Sequence, residues 1–259
     1  MSNRRANLIG AVSLAAAMLW GSPLAGLDRH GQSDPQEALL RRADIGGFAP
    51  DAFRARMVMR HERQAPSEIE LWRSGQNQTL VRLLDPKERG KYLLRLGPDL
   101  WFLSPGTRKP VRLSPAHRVY GAATIDVLLG LRLADDYRVV TTTREAAPRG
   151  DLAIYELAAR SESATFATVR YAVHVETERP ASALYRLRSG KDAMSIEFQD
   201  WTASGRSARY AKRMIVRDLL RKGAETRIEV VEFDEREVPA GLFSLDDPTT
   251  RRALERGGR

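Results

Sequence analysis

Between residues 80 and 113 the apolar residues come in three short runs, each closed by turn residues. Residues 80–84 stop at Asp85-Pro86, residues 92–96 at Gly97-Pro98, and residues 100–103 at Pro105-Gly106. Apolar runs of this length, bounded by proline and glycine, read as strands. Their tight spacing reads as hairpins, so the sheet is expected to be antiparallel. Upstream, Phe53, Ala55, Met57 and Met59 alternate with Arg54, Arg56, Val58 and Arg60. After a turn at Ala65-Pro66 the alternation continues, with Ile69 and Leu71 set against Glu68 and Glu70. Successive side chains on a strand point to opposite faces, so these segments have one buried face each.

Strand patterns resume at 137–144, 152–158, 168–177 and 182–187, around Met194, Ile196 and Phe198, and at 210–218 and 226–235. Arg188-Ser189-Gly190-Lys191 reads as a hairpin turn. Two stretches break the period. Asp34-Pro35-Gln36-Glu37 offers an N-cap acid, a proline in the first turn and a glutamate three residues after the cap, so a helix is predicted up to Gly46-Gly47. Residues 116–133 show no two-residue alternation. Ile125, Val127, Leu128, Leu129, Leu131 and Leu133 fall nearly all round a helical wheel. A helix apolar on most sides needs cover on most sides, as an insert between layers or a plug in a cavity. With about eleven strands, no internal repeat and no long linker, the predicted fold is mostly β. It is one curved antiparallel sheet, an incomplete barrel with helices covering or plugging its concave face. The expected domain is 27–259, with a charged tail from about residue 246.

Composition adds a compartment. Residues 1–26 run from Arg4 and Arg5 through the apolar stretch 8–20 to Ser22-Pro23-Leu24-Ala25-Gly26. Basic start, short apolar run and small residues are the layout of a secretory signal peptide. The apolar run is short for a membrane span. Export to the periplasm is therefore expected. The formal charge of +9 becomes +7 without the two leader arginines. In an exported protein that excess points to an anionic membrane surface or acidic partner rather than nucleic acid, or to solvated surface. The absence of cysteine excludes disulfides and thiolate metal sites.

No catalytic set emerges. His30, His61, His117 and His174 are not spaced as metal ligands. No nucleophile elbow and no phosphate loop is present; Gly190-Lys191 lacks the upstream glycine. Asp135-Asp136 reads as a helix-to-strand junction. No enzymatic activity, cofactor or metal is expected. The chain is instead rich in apolar side chains for a concave surface: Phe53, Met57, Met59, Ile69, Leu71, Leu94, Leu96, Phe198 and Met214, with Ile125, Leu128 and Leu129 from the plug. Methionine adapts to irregular apolar partners. A cavity and a filled core both remain open at this point.

Leu80-Val81-Arg82, Pro86 to Gly90 with Arg89, Trp101 to Pro105, and Arg108-Lys109 follow one another as L-x-R, P-x-x-[KR]-G and W-x-x-x-P-x-x-R-[KR]. With the closing Val238-Pro239 and Leu242-Phe243, this order resembles the outer-membrane lipoprotein-sorting (LolA-like) family of periplasmic carriers. The resemblance covers roughly residues 34–245. It departs where relatives carry a G-S-D-F-type segment, since here Gly121 is followed by Ala122-Ala123-Thr124, and Pro110 splits the basic cluster. It implies an incomplete barrel with helices at its mouth and an apolar cavity that shields acyl chains in transit. The expected function is non-enzymatic carriage of a lipid or lipoprotein by a monomer. The alternative is a periplasmic adaptor of an RND-type inner-membrane exporter.

The leader pattern generates one prediction. N-terminal sequencing of the exported protein is expected to start near Leu27 in the soluble fraction; Met1 on membrane-bound protein would contradict it.

Overall fold

The computed structural model describes residues 35–44 and 51–257, apart from 63, 76, 106, 108, 114–117, 121–122, 125–131, 163, 205–207 and 222–223. Among these, fifteen strands are described, thirteen in one sheet and two in a small hairpin; the first six are β1 (Ala52–His61), β2 (Gln64–Ser74), β3 (Gln78–Leu83), β4 (Tyr92–Leu96), β5 (Asp99–Leu103) and β6 (Val111–Arg112).

 The hairpin is β7 (Arg118–Tyr120) with β8 (Ala123–Thr124). The remaining strands are β9 (Tyr137–Glu145), β10 (Leu152–Ala159), β11 (Thr168–His174), β12 (Arg179–Arg186), β13 (Asp192–Ser204), β14 (Ala208–Asp218) and β15 (Ala224–Glu235).

The sheet runs β6-β5-β4-β3-β2-β1-β15-β14-β13-β12-β11-β10-β9, with antiparallel neighbours throughout. Sequence neighbours pair as hairpins everywhere except at β1–β15, where the first strand meets the last and joins the two halves. The sheet is curved but not closed: β6, two residues long, is one edge, and β9 is the other.

Three helices are described: α1 (Pro35–Arg42), the single turn α2 (Leu133–Asp136) and α3 (Thr249–Gly257). The helix expected over 116–133 is corrected in its first part. Residues 118–120 and 123–124 are extended and paired, which suits Val119, Tyr120 and Thr124 better than a helix does. Residues 125–131 lie outside the described residues. Asp135 and Asp136 do stand at a helix-to-strand junction, since β9 begins at Tyr137. The strand number rises from about eleven because β6 and the small hairpin are too short to show a period.

Register assigns the two faces. Residues directly opposite on paired strands share a face. Ala55, Leu71, Val81, Leu93 and Phe102 therefore form one row across β1 to β5. Trp72, Leu80, Leu94 and Trp101 form a row on the other face. The first face carries the larger core, which includes Leu40 and Ala43 of the α1 segment and Leu133 and Ala134 of α2. The second carries a smaller core with Leu242 and Phe243, in the 3₁₀ turn at Ala240–Phe243. Leu94 and Leu96 pack in the smaller core. This corrects the placement of both beside Ile69 and Leu71, for a one-residue offset along a strand moves a side chain to the opposite face.

Turn chemistry supports the same register. Gly90 has φ +76°, and a Cβ there would lie 2.7 Å from Pro105 Cγ; Gly97 has φ +57° with open space around it. Both positions carry the backbone cost of a left-handed L-residue, about 1 kcal/mol. Gly90→Ala also forces the β5–β6 turn to move. It is expected to lower the urea midpoint more than Gly97→Ala; equal shifts would show that the Pro105 contact does not constrain the fold.

Candidate functional site

The helix-covered face is built in rows. Phe198, Met214, Ile228 and Met59 follow one another across β13, β14, β15 and β1. Val230, Met57, Ile69 and Leu83 form the next row across β15, β1, β2 and β3. The row of Ala55 and Leu71 follows. All of these side chains except the half-buried Phe102 are 8% exposed or less, with Met59 and Ile69 at 0%, as is the neighbouring Phe53. Of the expected lining, the structure thus brings Phe53, Met57, Met59, Ile69, Leu71, Phe198 and Met214 to one apolar face. It places Leu94 and Leu96 on the other. Ile125, Leu128 and Leu129 lie outside the described residues.

A fourth row is different in chemistry. Phe53, Arg73, Thr79 and Arg95 stand opposite one another across β1 to β4. Arg73 is 4% exposed, and its guanidinium lies over the Phe53 ring, 5.6 Å from the centroid. Burial and the nearby Arg95 charge hold the Arg73 pKa down to about 10, against the opposing pull of Asp44. Asp44 follows α1. Its carboxylate accepts the backbone N–H groups of Leu133 (3.1 Å) and Ala134 (2.9 Å), which caps α2.

The other half of the sheet reaches the same helices through tyrosines. Tyr155 donates to the Gln36 carbonyl at 3.0 Å, and Tyr171 donates to the Ala43 carbonyl. Burial raises the Tyr171 phenol pKa well above its usual value, and Asp44 adds to the rise. Asp44 therefore feels both Arg73 on β2 and Tyr171 on β11. Six strand spacings separate these strands. On a flat sheet that is roughly 29 Å. Only a strongly bent sheet brings both within reach of one carboxylate, so the helix-covered face is the inner, concave one. Further ion pairs tie the helices to the sheet and to each other: Arg95 of β4 with Asp136 of α2 (3.5 Å), Arg41 of α1 with Asp135 of α2 (3.2 Å), and Arg42 of α1 with Glu178 in the β11–β12 turn (2.9 Å).

This polar collar was not identified from the sequence. The signal was present: Arg73 and Arg95 interrupt the apolar faces of Ile69-x-Leu71 and Leu93, and tyrosines occupy inward positions of β10 to β12. Buried tyrosine brings a polar tip that needs a partner. Among the histidines, His61 Nδ1 lies 2.8 Å from Thr226 Oγ1, and burial lowers its pKa. His174 is partly buried on β11. Among the described residues no group of three or more His, Cys, Asp or Glu could hold a metal ion.

The arrangement shields apolar surface beneath a polar rim and presents no reacting pair of groups among the residues described above. Comparison with known proteins gives the same architecture. A family model described as "Uncharacterized protein" matches residues 75–247, well over half of the chain. A LolA superfamily protein from Nitrosomonas europaea is similar at 23% identity and TM-score 0.72, covering 81% of this chain and 97% of that one. An outer membrane lipoprotein-sorting protein domain from Vibrio parahaemolyticus is similar at 14% identity and TM-score 0.70, covering 85% and 97%. A DUF1329 family protein from Desulfovibrio piger gives 14% identity and TM-score 0.70, covering 81% and 96%. At these identities the likeness concerns the fold. No curated protein matches the chain.

The collar predicts an asymmetry between its partners. Asp44→Ala leaves the Arg73 charge buried without that counter-charge and removes the acceptor for two N–H groups. It is expected to cost about 3 kcal/mol. Arg73→Met keeps volume and removes a buried charge, so its cost is expected to stay within about 1 kcal/mol. Urea denaturation of both variants measures the difference; a costlier Arg73→Met would refute this account.

Proposed function

Because the chain belongs to the family whose model spans residues 75–247 and has the fold of the LolA superfamily, we propose that it is a periplasmic, non-enzymatic carrier that shields acyl chains of a lipid or lipoprotein. The observation that carries this reading is the inner face: three apolar rows on a bent sheet, under described helices of eight and four residues. Acyl chains would lie along the methionine and isoleucine rows, with the polar collar at the mouth. Each CH₂ removed from water contributes about 0.8 kcal/mol. Two long chains thus offset the several kcal/mol lost on association.

In the described state the inner side chains are already covered, so loading requires the mouth to open. Its ion pairs are partly exposed, and such pairs are worth about 0.2–1 kcal/mol each. Opening is therefore inexpensive relative to acyl burial. The apolar segment 125–133 has the chemistry to cover the inner rows in the empty protein and to be displaced by cargo. The leader at 1–26 supports a periplasmic location. Docking on an RND-type inner-membrane exporter is the alternative role for the same fold.

Native mass spectrometry of the protein purified from the periplasm tests the reading. Bound lipid is expected; an empty protein that copurifies with a transporter favours the adaptor role. Leu71→Glu places a carboxylate on the inner face; it is expected to lower stability but keep a cooperative melting transition, because an opening mouth lets the charge reach water, and to reduce bound lipid about tenfold or more. Leu94→Glu instead buries its charge in the smaller core and is expected to lower the melting temperature. If Leu71→Glu unfolds the protein as Leu94→Glu does, the inner face is filled core and the carrier reading fails.

A further inference from the structure

The sheet's outer face holds a second concavity, of about 470 Å³, between the β5–β6 turn and the start of α3. Tyr92, Leu103, Pro105 and Leu245 give it apolar walls. Lys109, Arg251 and Arg252 line it as well, with Asp246 as an acid among them. The cations exceed the acid by two charges.

Arg251 is unusual among these. It is 3% exposed, and its Nη1 donates to the carbonyl of Leu242 at 3.0 Å and to that of Ser244. Among the described residues no carboxylate stands within ion-pair distance of it; burial lowers its pKa. Removing a guanidinium from water costs several kcal/mol unless an opposite charge meets it. Two carbonyl dipoles hold one nitrogen, and the nearby Asp247 carboxylate favours the charge without making an ion-pair contact. Lys109 and Arg252 are exposed at the same cavity, so the three cations converge rather than avoid one another.

We propose that this outer pocket binds a phosphate group carried on a small or apolar body. Guanidinium groups match the oxygen geometry of phosphate in two parallel hydrogen bonds, while ammonium acts as a point charge beside them. The lining cations outnumber the lining acid, and Asp247 nearby does not cancel the excess, so the pocket suits an oxyanion. The apolar walls accept the carbon skeleton attached to it. The site is separate from the inner rows, and does not depend on the carrier reading. A soluble phosphomonoester and a lipid headgroup present the same chemistry.

The test compares the unaltered chain with Lys109→Gln/Arg252→Gln and with Arg138→Gln/Arg144→Gln. The second pair removes equal charge from exposed positions on β9. Calorimetric titration with glycerol 3-phosphate reports a soluble ligand. Cosedimentation with vesicles containing phosphatidic acid, against phosphatidylcholine vesicles, reports a phosphomonoester headgroup. Saturable binding in either arm, weakened about tenfold by the pocket variant and unchanged by the β9 variant, supports the site and identifies its source. Equal weakening by both variants would assign the effect to net charge and overturn the proposal. Absence of binding to every probe would overturn it too.

Discussion

One carboxylate, that of Asp44, marks the constraint on which the structure depends. It caps α2, lies near the buried Arg73 of β2 and influences Tyr171 of β11. These groups come from distant strands, so they meet only when the sheet is bent. The bend and the helix cover therefore stabilise each other. Apolar rows supply non-directional burial, which favours any compact curvature. The collar is directional and selects one arrangement of helices over the concavity.

The outer face solves a different problem. Its arginines pair across strands: Arg54 and Arg82 with Glu70, Arg56 with Glu68 and Glu232, Arg170 with Glu145 and Glu156, and Arg217 with Glu197 and Glu225. Arg217 is held above its usual pKa chiefly by its hydrogen bond to Glu197. Individually, exposed pairs of this kind contribute little. Repeated across successive strands, they favour the register that places opposite charges together. These arginines thus serve the sheet, and the cations of the outer pocket stand apart from this lattice.

The sheet was legible because its signals are local. Two-residue alternation in β1 and β2, and Gly-Pro punctuation around β4 and β5, are set by a few adjacent residues. Hairpin pairing then follows from short connections. The faces of Leu94 and Leu96 were not legible, since side assignment in a continuous apolar run such as Tyr92-Leu93-Leu94 needs the register of the partner strand. The pairing of β1 with β15 and the collar were hidden for a related reason: they join residues far apart in sequence. Arg73 could have been noticed as a charge on an apolar face, but its nearness to Asp44, just after α1, could not.

The two edges of the sheet have a bearing on how such a protein survives at high concentration. An open sheet presents unpaired N–H and C=O groups, which invite other strands to add. Here one edge is the two-residue β6, which follows Pro110, and the other is β9, with Arg138, Arg144 and three consecutive threonines. A brief strand after a proline offers little ladder to extend, and a polar, charged strand does not attract an apolar neighbour. The barrel can therefore stay incomplete without templating fibrils, so that access to its interior does not come with a tendency to aggregate.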